Sequence, residues 1–196
     1  MVLPSNAPTS EEADARVRAL DAAEGLFYER GVRAVGMDDV RDRAGVPLKR
    51  LYGLFGSKED LVVAMLRRRD VRWRGRVTAH VRTHADPDER LLAVFDWLLE
   101  WFGEAGYRGC AWINIFGELG ATSDAVVDEA RAHKAAFARD IGVLVAEAGR
   151  PAALADQLVL LAEGAMVTSA ITGTPAPATT ARQAAAALLA AGGPAP

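Results

Sequence analysis

From Glu12 onward the apolar residues return at intervals of three and four, and this rhythm constrains the fold more than any other feature of the chain. Ala13, Val17, Leu20, Ala23 and Phe27 share one helical face, which Gly31 can stop. Gly36 can open a short second helix, with Asp38 and Asp39 against the positive end of its dipole, and Gly45 can close it. Pro47 suits the first turn of a third helix reaching about Leu54. Ser57, with Asp60 three residues on, has the spacing of a capping box and starts a longer fourth helix through Leu61, Met65 and an arginine cluster. Asp86 and Pro87 open a fifth helix, and Cys110 to Leu119 makes a sixth. Ser123 caps a long seventh that Gly149 ends; Pro151 to Ile171 forms an eighth and Ala178 to Ala191 a ninth. No segment shows the period of two expected of a half-buried strand, so the expected fold is all-α, with about nine helices.

Composition narrows the class. A chain of 196 residues, 51% hydrophobic and 25% charged, can bury a core and is neither disordered nor collagen-like. Its one cysteine, Cys110, excludes an internal disulfide, and Met1 to Glu12 lacks the basic start and apolar run of a secretory signal. The apolar stretches around Leu91 to Phe102 and Leu158 to Ile171 are broken by Asp96, Glu100 and Glu163, so no membrane span is expected and the cytoplasm is the default location. The net charge is -3 but unevenly distributed: up to residue 80 there are 15 Lys/Arg against 12 Asp/Glu, and beyond it 8 against 14. A basic N-terminal part on an acidic remainder is a partner signal.

Residues 37–55, MDDVRDRAGVPLKRLYGLF, read as helix, glycine-containing turn and helix, with Val40, Ala44, Val46, Leu51 and Phe55 able to close a small core. In a helix-turn-helix the second helix enters the major groove, and Lys49 and Arg50 lie on its early, exposed part. Arginine can grip a guanine edge with two bonds; the Tyr52 hydroxyl can reach a phosphate, as can Lys58 beside the free N–H groups of the fourth helix. The same pattern could also be a solvated corner.

The segment AGVPLKRLYGLFGSKEDLV closely resembles the DNA-binding signature of the TetR-type (TetR/AcrR) transcriptional repressors, which runs A-G-V-S, variable residues, L-Y-x-x-F, then S-K-E-x-L. DAAEGLFYERG at 21–31 is similar to the family's first helix, so the resemblance covers about residues 13 to 66. It implies a DNA-binding domain followed by a helical ligand-binding and dimerising domain. It also implies Pro47, Leu48, Lys49, Arg50 and Tyr52 at the DNA, with Tyr52 and Lys58 on phosphates. The expected divisions are an arm over 1–10, the helix-turn-helix domain over 11–56, a linking helix over 57–84 and the effector and dimerisation domain over 85–196. The chain departs from the pattern at Val35 and Gly36, where a phosphate-binding hydroxyl is common, and at Arg41, where a small alanine is usual. Pro47 replaces a serine cap, and Gly53 costs helix propensity of about 1 kcal/mol. Arg41 is expected to turn outward, because a buried unpaired guanidinium is too costly.

RGCAWINIFGELGATS at 108–123 is similar to the sixth-helix region of some TetR-type proteins. Trp97, Trp101, Trp112, Phe116, Phe137 and Met166, with Asn114 and Glu118 as polar anchors, are the candidate lining of an apolar effector pocket; at helical spacing they read equally well as core. The resemblance implies a twofold four-helix interface from the last two helices: Leu154, Leu158, Leu161, Ala165, Thr168, Ala185, Leu188 and Leu189, which could also be internal. The sequence lacks a Walker A run, a GxGxxG or a GxSxG, and His80 with His84, at i and i+4, could hold a metal only if carboxylates joined them, so neither an enzyme nor a metal or other cofactor is expected. The reading is a homodimeric, ligand-responsive regulator, a repressor that binds a palindromic double-stranded DNA operator and is released by a small apolar or amphipathic effector. A constitutive DNA-binding regulator, or a helical interaction module or enzyme, are the alternatives.

Overall fold

The computed structural model describes residues 10–191. Among them are nine helices and no strand: α1 (Ser10–Arg30), α2 (Met37–Ala44), α3 (Leu48–Phe55), α4 (Lys58–Val81), α5 (Pro87–Phe102), α6 (Ala111–Leu119), α7 (Asp124–Glu147), α8 (Ala153–Thr172) and α9 (Ala176–Ala191). Every element expected from the spacing is present, with ends shifted by a residue or two. The arm expected over 1–10 lies, except for Ser10, outside the described residues.

The local causes are visible. Gly45 takes a left-handed conformation (φ 62°), and its N–H bonds the Arg41 carbonyl at 2.9 Å, which closes α2 and frees the chain to turn. Ser57 Oγ accepts the Asp60 N–H at 3.0 Å, Asp86 accepts that of Glu89 at 3.0 Å, and Ser123 accepts that of Val126 at 3.2 Å, each capping its helix.

Helices α1 to α3 pack on one another and on the first half of α4, around Ala19, Leu26, Val40, Val46 and Leu51. The second half of α4 joins α5 and α7, α9 lies against α5 and α8, and α6 packs on α7. One continuous buried cluster runs through α4 from the first group to the second, so α4 is a shared wall rather than a flexible linker.

Contrary to the sequence expectation, α8 is long and apolar enough to cross a bilayer, with a mean hydropathy of 1.4 over its best window. Two interrupting carboxylates, Asp156 and Glu163, do not remove a window of that length. Here α8 packs against α5, α7 and α9, and Glu163 pairs with Lys134 at 2.6 Å; core helices pass the same length and hydropathy test.

Candidate functional sites: a helix-turn-helix corner and a cavity in the bundle

Helix α3 is held from beneath by Leu51 and Phe55, both buried, while Leu48 is half-buried against the same core. This leaves Pro47, Lys49 and Tyr52 exposed and Arg50 half-exposed. Among the described residues neither Lys49 nor the exposed Arg33, at the turn before α2, has an acidic partner. Arg50 is paired through Nη1 with Glu11 at 2.5 Å, an ion pair that competes with any other anionic ligand for its guanidinium. Lys58 donates to the Val32 carbonyl at 2.7 Å, and burial holds its pKa below the usual lysine value against the opposing pull of Glu118 and Asp39. One ammonium N–H is thereby committed, which leaves two.

The departures from the family pattern have structural accounts. Val35 is buried in the small core. Gly36 donates its N–H to Asp39 Oδ2 at 2.7 Å, so a carboxylate three residues on does the capping that a side chain at 36 would do. Arg41 points outward and pairs with Asp38 and, at 2.8 Å, with Asp42. Gly53 faces open space and α3 continues through it.

The arginine cluster corrects the charge argument. Arg68 pairs with Asp21 at 2.6 Å, Arg69 and Arg72 with Glu24, Arg67 with Glu129, Arg74 with Asp140 at 3.2 Å and Arg76 with Glu104. These guanidiniums fasten α4 to α1, α7 and the α5–α6 turn. Counted in sequence they resemble a polyanion signal; in space their charge is met within the chain.

The two helical groups meet at α6. Glu118 accepts the Val32 N–H at 3.1 Å and the Arg33 N–H at 2.8 Å, so one carboxylate grips the end of the α1–α2 turn. Gly31 has φ 84°, and a Cβ there would sit 3.0 Å from the Glu118 carboxylate. At the other end of α6, the Tyr28 hydroxyl donates to the Gly109 carbonyl at 2.7 Å and accepts the Arg108 N–H at 2.9 Å. Behind α6, Trp112 stacks on His133 with ring centroids 3.5 Å apart, and His133 Nδ1 lies 2.6 Å from Asp70. Burial pushes the His133 pKa down to about 4, outweighing the Asp70 hydrogen bond that raises it, so the ring is neutral at pH 7 and donates through Nδ1.

A cavity of about 160 Å³ opens between α4, α5 and α7, with Trp73, Val77, Phe137 and Ile141 in its wall and Arg74, Arg82 and Arg90 among its charged lining. Of the expected pocket residues only Phe137 lines it. Trp97 stacks on Trp101 and both meet the edge of Trp73, because aromatic stripes on adjacent helices bury most area against one another. Trp101 instead lines a polar cavity of about 410 Å³ between α1, α4 and the α5–α6 turn. Trp112 borders a groove beside His133, and Asn114 donates to the Arg108 carbonyl at 2.8 Å. Phe116 is 49% exposed, and Met166 is core, its carbonyl accepting the Tyr107 hydroxyl at 3.0 Å. The residues missed, Trp73, Val77 and Val81, lie at i, i+4 and i+8 on α4; that stripe was available in the sequence but hidden among arginines.

Of the residues expected at a partner on α8 and α9, Leu154, Leu158, Ala165, Ala185 and Leu189 are buried within the chain and Leu161 and Leu188 are half-buried. The exposed apolar face carries Leu160 (73% exposed), Val167 and Ile171 (80%), beside a groove between the helices that Leu161, Ala165 and Thr168 line.

Residues 19–65 match the family of "bacterial regulatory proteins, tetR family". Over 95 residues the chain is 37% identical to the HTH-type transcriptional activator FasR of Mycolicibacterium smegmatis, covering 47% of this chain and 43% of that protein. Over 67 residues it is 42% identical to the HTH-type transcriptional repressor KstR2 of Rhodococcus jostii, covering 34% and 33%. The matched segments thus span less than half the length of these curated relatives. A crystal structure of a TetR-family transcriptional regulator from Streptomyces coelicolor aligns with TM-score 0.83 and 29% identity over 90% of this chain and 95% of that one. The chain thus carries, at residues 19–65, the DNA-binding segment of the tetR family and along its length is similar in fold to a TetR-family transcriptional regulator.

Proposed function

We propose that this chain is a homodimeric repressor that reads a palindromic DNA operator through Pro47, Leu48, Lys49, Arg50 and Tyr52 and is released by a small effector in the α4–α5–α7 cavity. The observation that carries this reading is the double fastening of α6 to α1, through Tyr28 and Glu118, with His133 and Trp112 joining α6 to Trp73 and Phe137 at the cavity wall. A ligand that prefers a shifted packing of those rings would move the α1–α2 turn and with it α3; without such a preference it would shift nothing. The exposed stripe of Leu160, Val167 and Ile171 supports a twofold α8/α9 interface, and such a dimer presents two α3 helices to two half-sites. Lys58, with two N–H groups free, supplies a phosphate contact. A DNA partner puts the working protein in the cytoplasm.

The test is selection of duplexes from a random pool by the full-length protein. Enrichment of an inverted repeat with half-site centres about one helical turn, or a multiple, apart supports the reading. A pool that stays random refutes it. The sign of regulation needs a promoter-reporter assay, since FasR is named an activator and KstR2 a repressor.

A further inference from the structure

The charges around the α4–α5–α7 cavity do not balance, and the imbalance selects a ligand class. Its deep wall is apolar: Trp73, Val77, Phe137 and Ile141 are each at most 9% exposed. A volume of about 160 Å³ matches an apolar body the size of a benzene ring, since cavities of about 150 Å³ lined by apolar side chains hold benzene. Three guanidiniums and two carboxylates line the same space. Arg74 faces Asp140 at 3.2 Å, and Arg90 faces Glu147 at 3.3 Å while donating to the His84 carbonyl. Arg82 is exposed and its guanidinium has no partner among the described residues, and Thr78 lies one helical turn before it on the same edge of the cavity.

We propose that this cavity takes a small aromatic monocarboxylate, its ring among Trp73, Val77, Phe137 and Ile141 and its carboxylate on Arg82 and Thr78. The inference rests on the reading of this cavity as the effector site. A planar guanidinium matches a carboxylate with two parallel bonds, and a hydroxyl one turn away supplies a further donor. A cationic ligand would meet the unpaired Arg82 and two carboxylates already engaged. A dianion would exceed the single unmatched charge. A neutral ring would leave Arg82 as it is, so the acid and its amide must differ in affinity. Because Arg82 is solvent-exposed, the difference is moderate, and salt reduces it.

Titration calorimetry of the full chain with phenylacetate and with phenylacetamide tests this. In the wild type at low salt the acid binds about fivefold or more tightly than the amide, and the gap narrows with added salt. In Arg82→Gln, a surface change, the two affinities fall within about twofold of each other while the amide's own affinity is unchanged. Ile141→Trp, with its fold checked by circular dichroism, fills the cavity and abolishes both; if it does not fold, the Arg82→Gln comparison decides alone. Equal affinities in the wild type, a preference that survives Arg82→Gln, binding that survives a folded Ile141→Trp, or no binding of either compound would overturn the proposal. A parallel DNA-binding titration separates this proposal from the function it rests on. Acid-selective binding without any change in DNA affinity leaves the ligand class standing and removes the effector role.

Discussion

Replacing Glu118 by alanine removes both bonds that hold the α1–α2 turn to α6. The Val32 N–H, partly buried and donating at 3.1 Å, is left without its acceptor, while the exposed Arg33 N–H at 2.8 Å can turn to water. A hydrogen bond to a charged group contributes about 1.5 to 3 kcal/mol, and the solvent-facing one lies below that range. The expected loss is therefore about 2 kcal/mol, felt locally rather than across the whole chain. At 1.4 kcal/mol per factor of ten this is roughly a thirtyfold faster amide exchange at Val32 and Arg33, read by hydrogen exchange with site resolution. Glu118→Gln keeps one acceptor oxygen but presents an NH₂ group to the other amide, so about half of the protection is lost. In the same samples the Tyr28 contacts at the far end of α6 are intact, so exchange in the middle of α1 is unaltered. If Val32 and Arg33 exchange at wild-type rates in Glu118→Ala, the carboxylate does not hold the turn, and the route from bundle to α3 argued above is wrong.

Glu11→Gln frees Arg50 from an exposed ion pair worth about 0.2 to 1 kcal/mol, so specific DNA affinity rises up to about fivefold; a fall would mean that Arg50 works only when held by Glu11. Burial holds the His133 pKa near 4, below its unfolded value of about 6.5, so between those pH values the unfolded chain binds more protons. His133 therefore adds a stability increment of order 3 kcal/mol that is present in full above about pH 6.5 and lost as pH falls towards 4. His133→Phe, which keeps a ring on Trp112, should flatten that part of the denaturant-midpoint profile, and an unchanged profile refutes the assignment. Ile171→Asp puts a charge at the C-terminal end of the exposed α8 stripe and should shift the protein to monomer in sedimentation; an unaltered dimer would place the interface elsewhere.

The helices were legible because their stops and starts are local: Gly45, Ser57, Asp86 with Pro87, and Ser123 each act on bonds within one turn. The position of α3 was legible for the same reason, with Leu51 and Phe55 spaced to bury one face. Pairings across the sequence were not. Glu24 meets Arg69 across 45 residues and Glu118 meets Arg33 across 85, so counting charges by segment misplaced the α4 arginines, and Glu118 was read as a pocket anchor. On α8 nearly every position is apolar or small, and periodicity alone could not tell the face bearing Leu158 from the one bearing Leu160. Trp97 and Trp101 pack on each other and on the edge of Trp73, so in the α4–α5–α7 cavity Phe137 is joined by Trp73, Val77 and Ile141, a pairing across helices that spacing within one helix does not display.

The central claim is that α3 reads base sequence for a dimer. It is tested most directly by fluorescence anisotropy on a selected duplex, with excess nonspecific competitor at about 0.15 M salt, where nonspecific binding is weak. The account predicts saturation at two protomers, or a multiple, per site for the wild type, and for the folded Lys49→Ala, Arg50→Ala double variant an affinity no better than for a shuffled duplex. Equal specific affinity in the double variant, or a wild type that does not distinguish the selected duplex from the shuffled one, would contradict it.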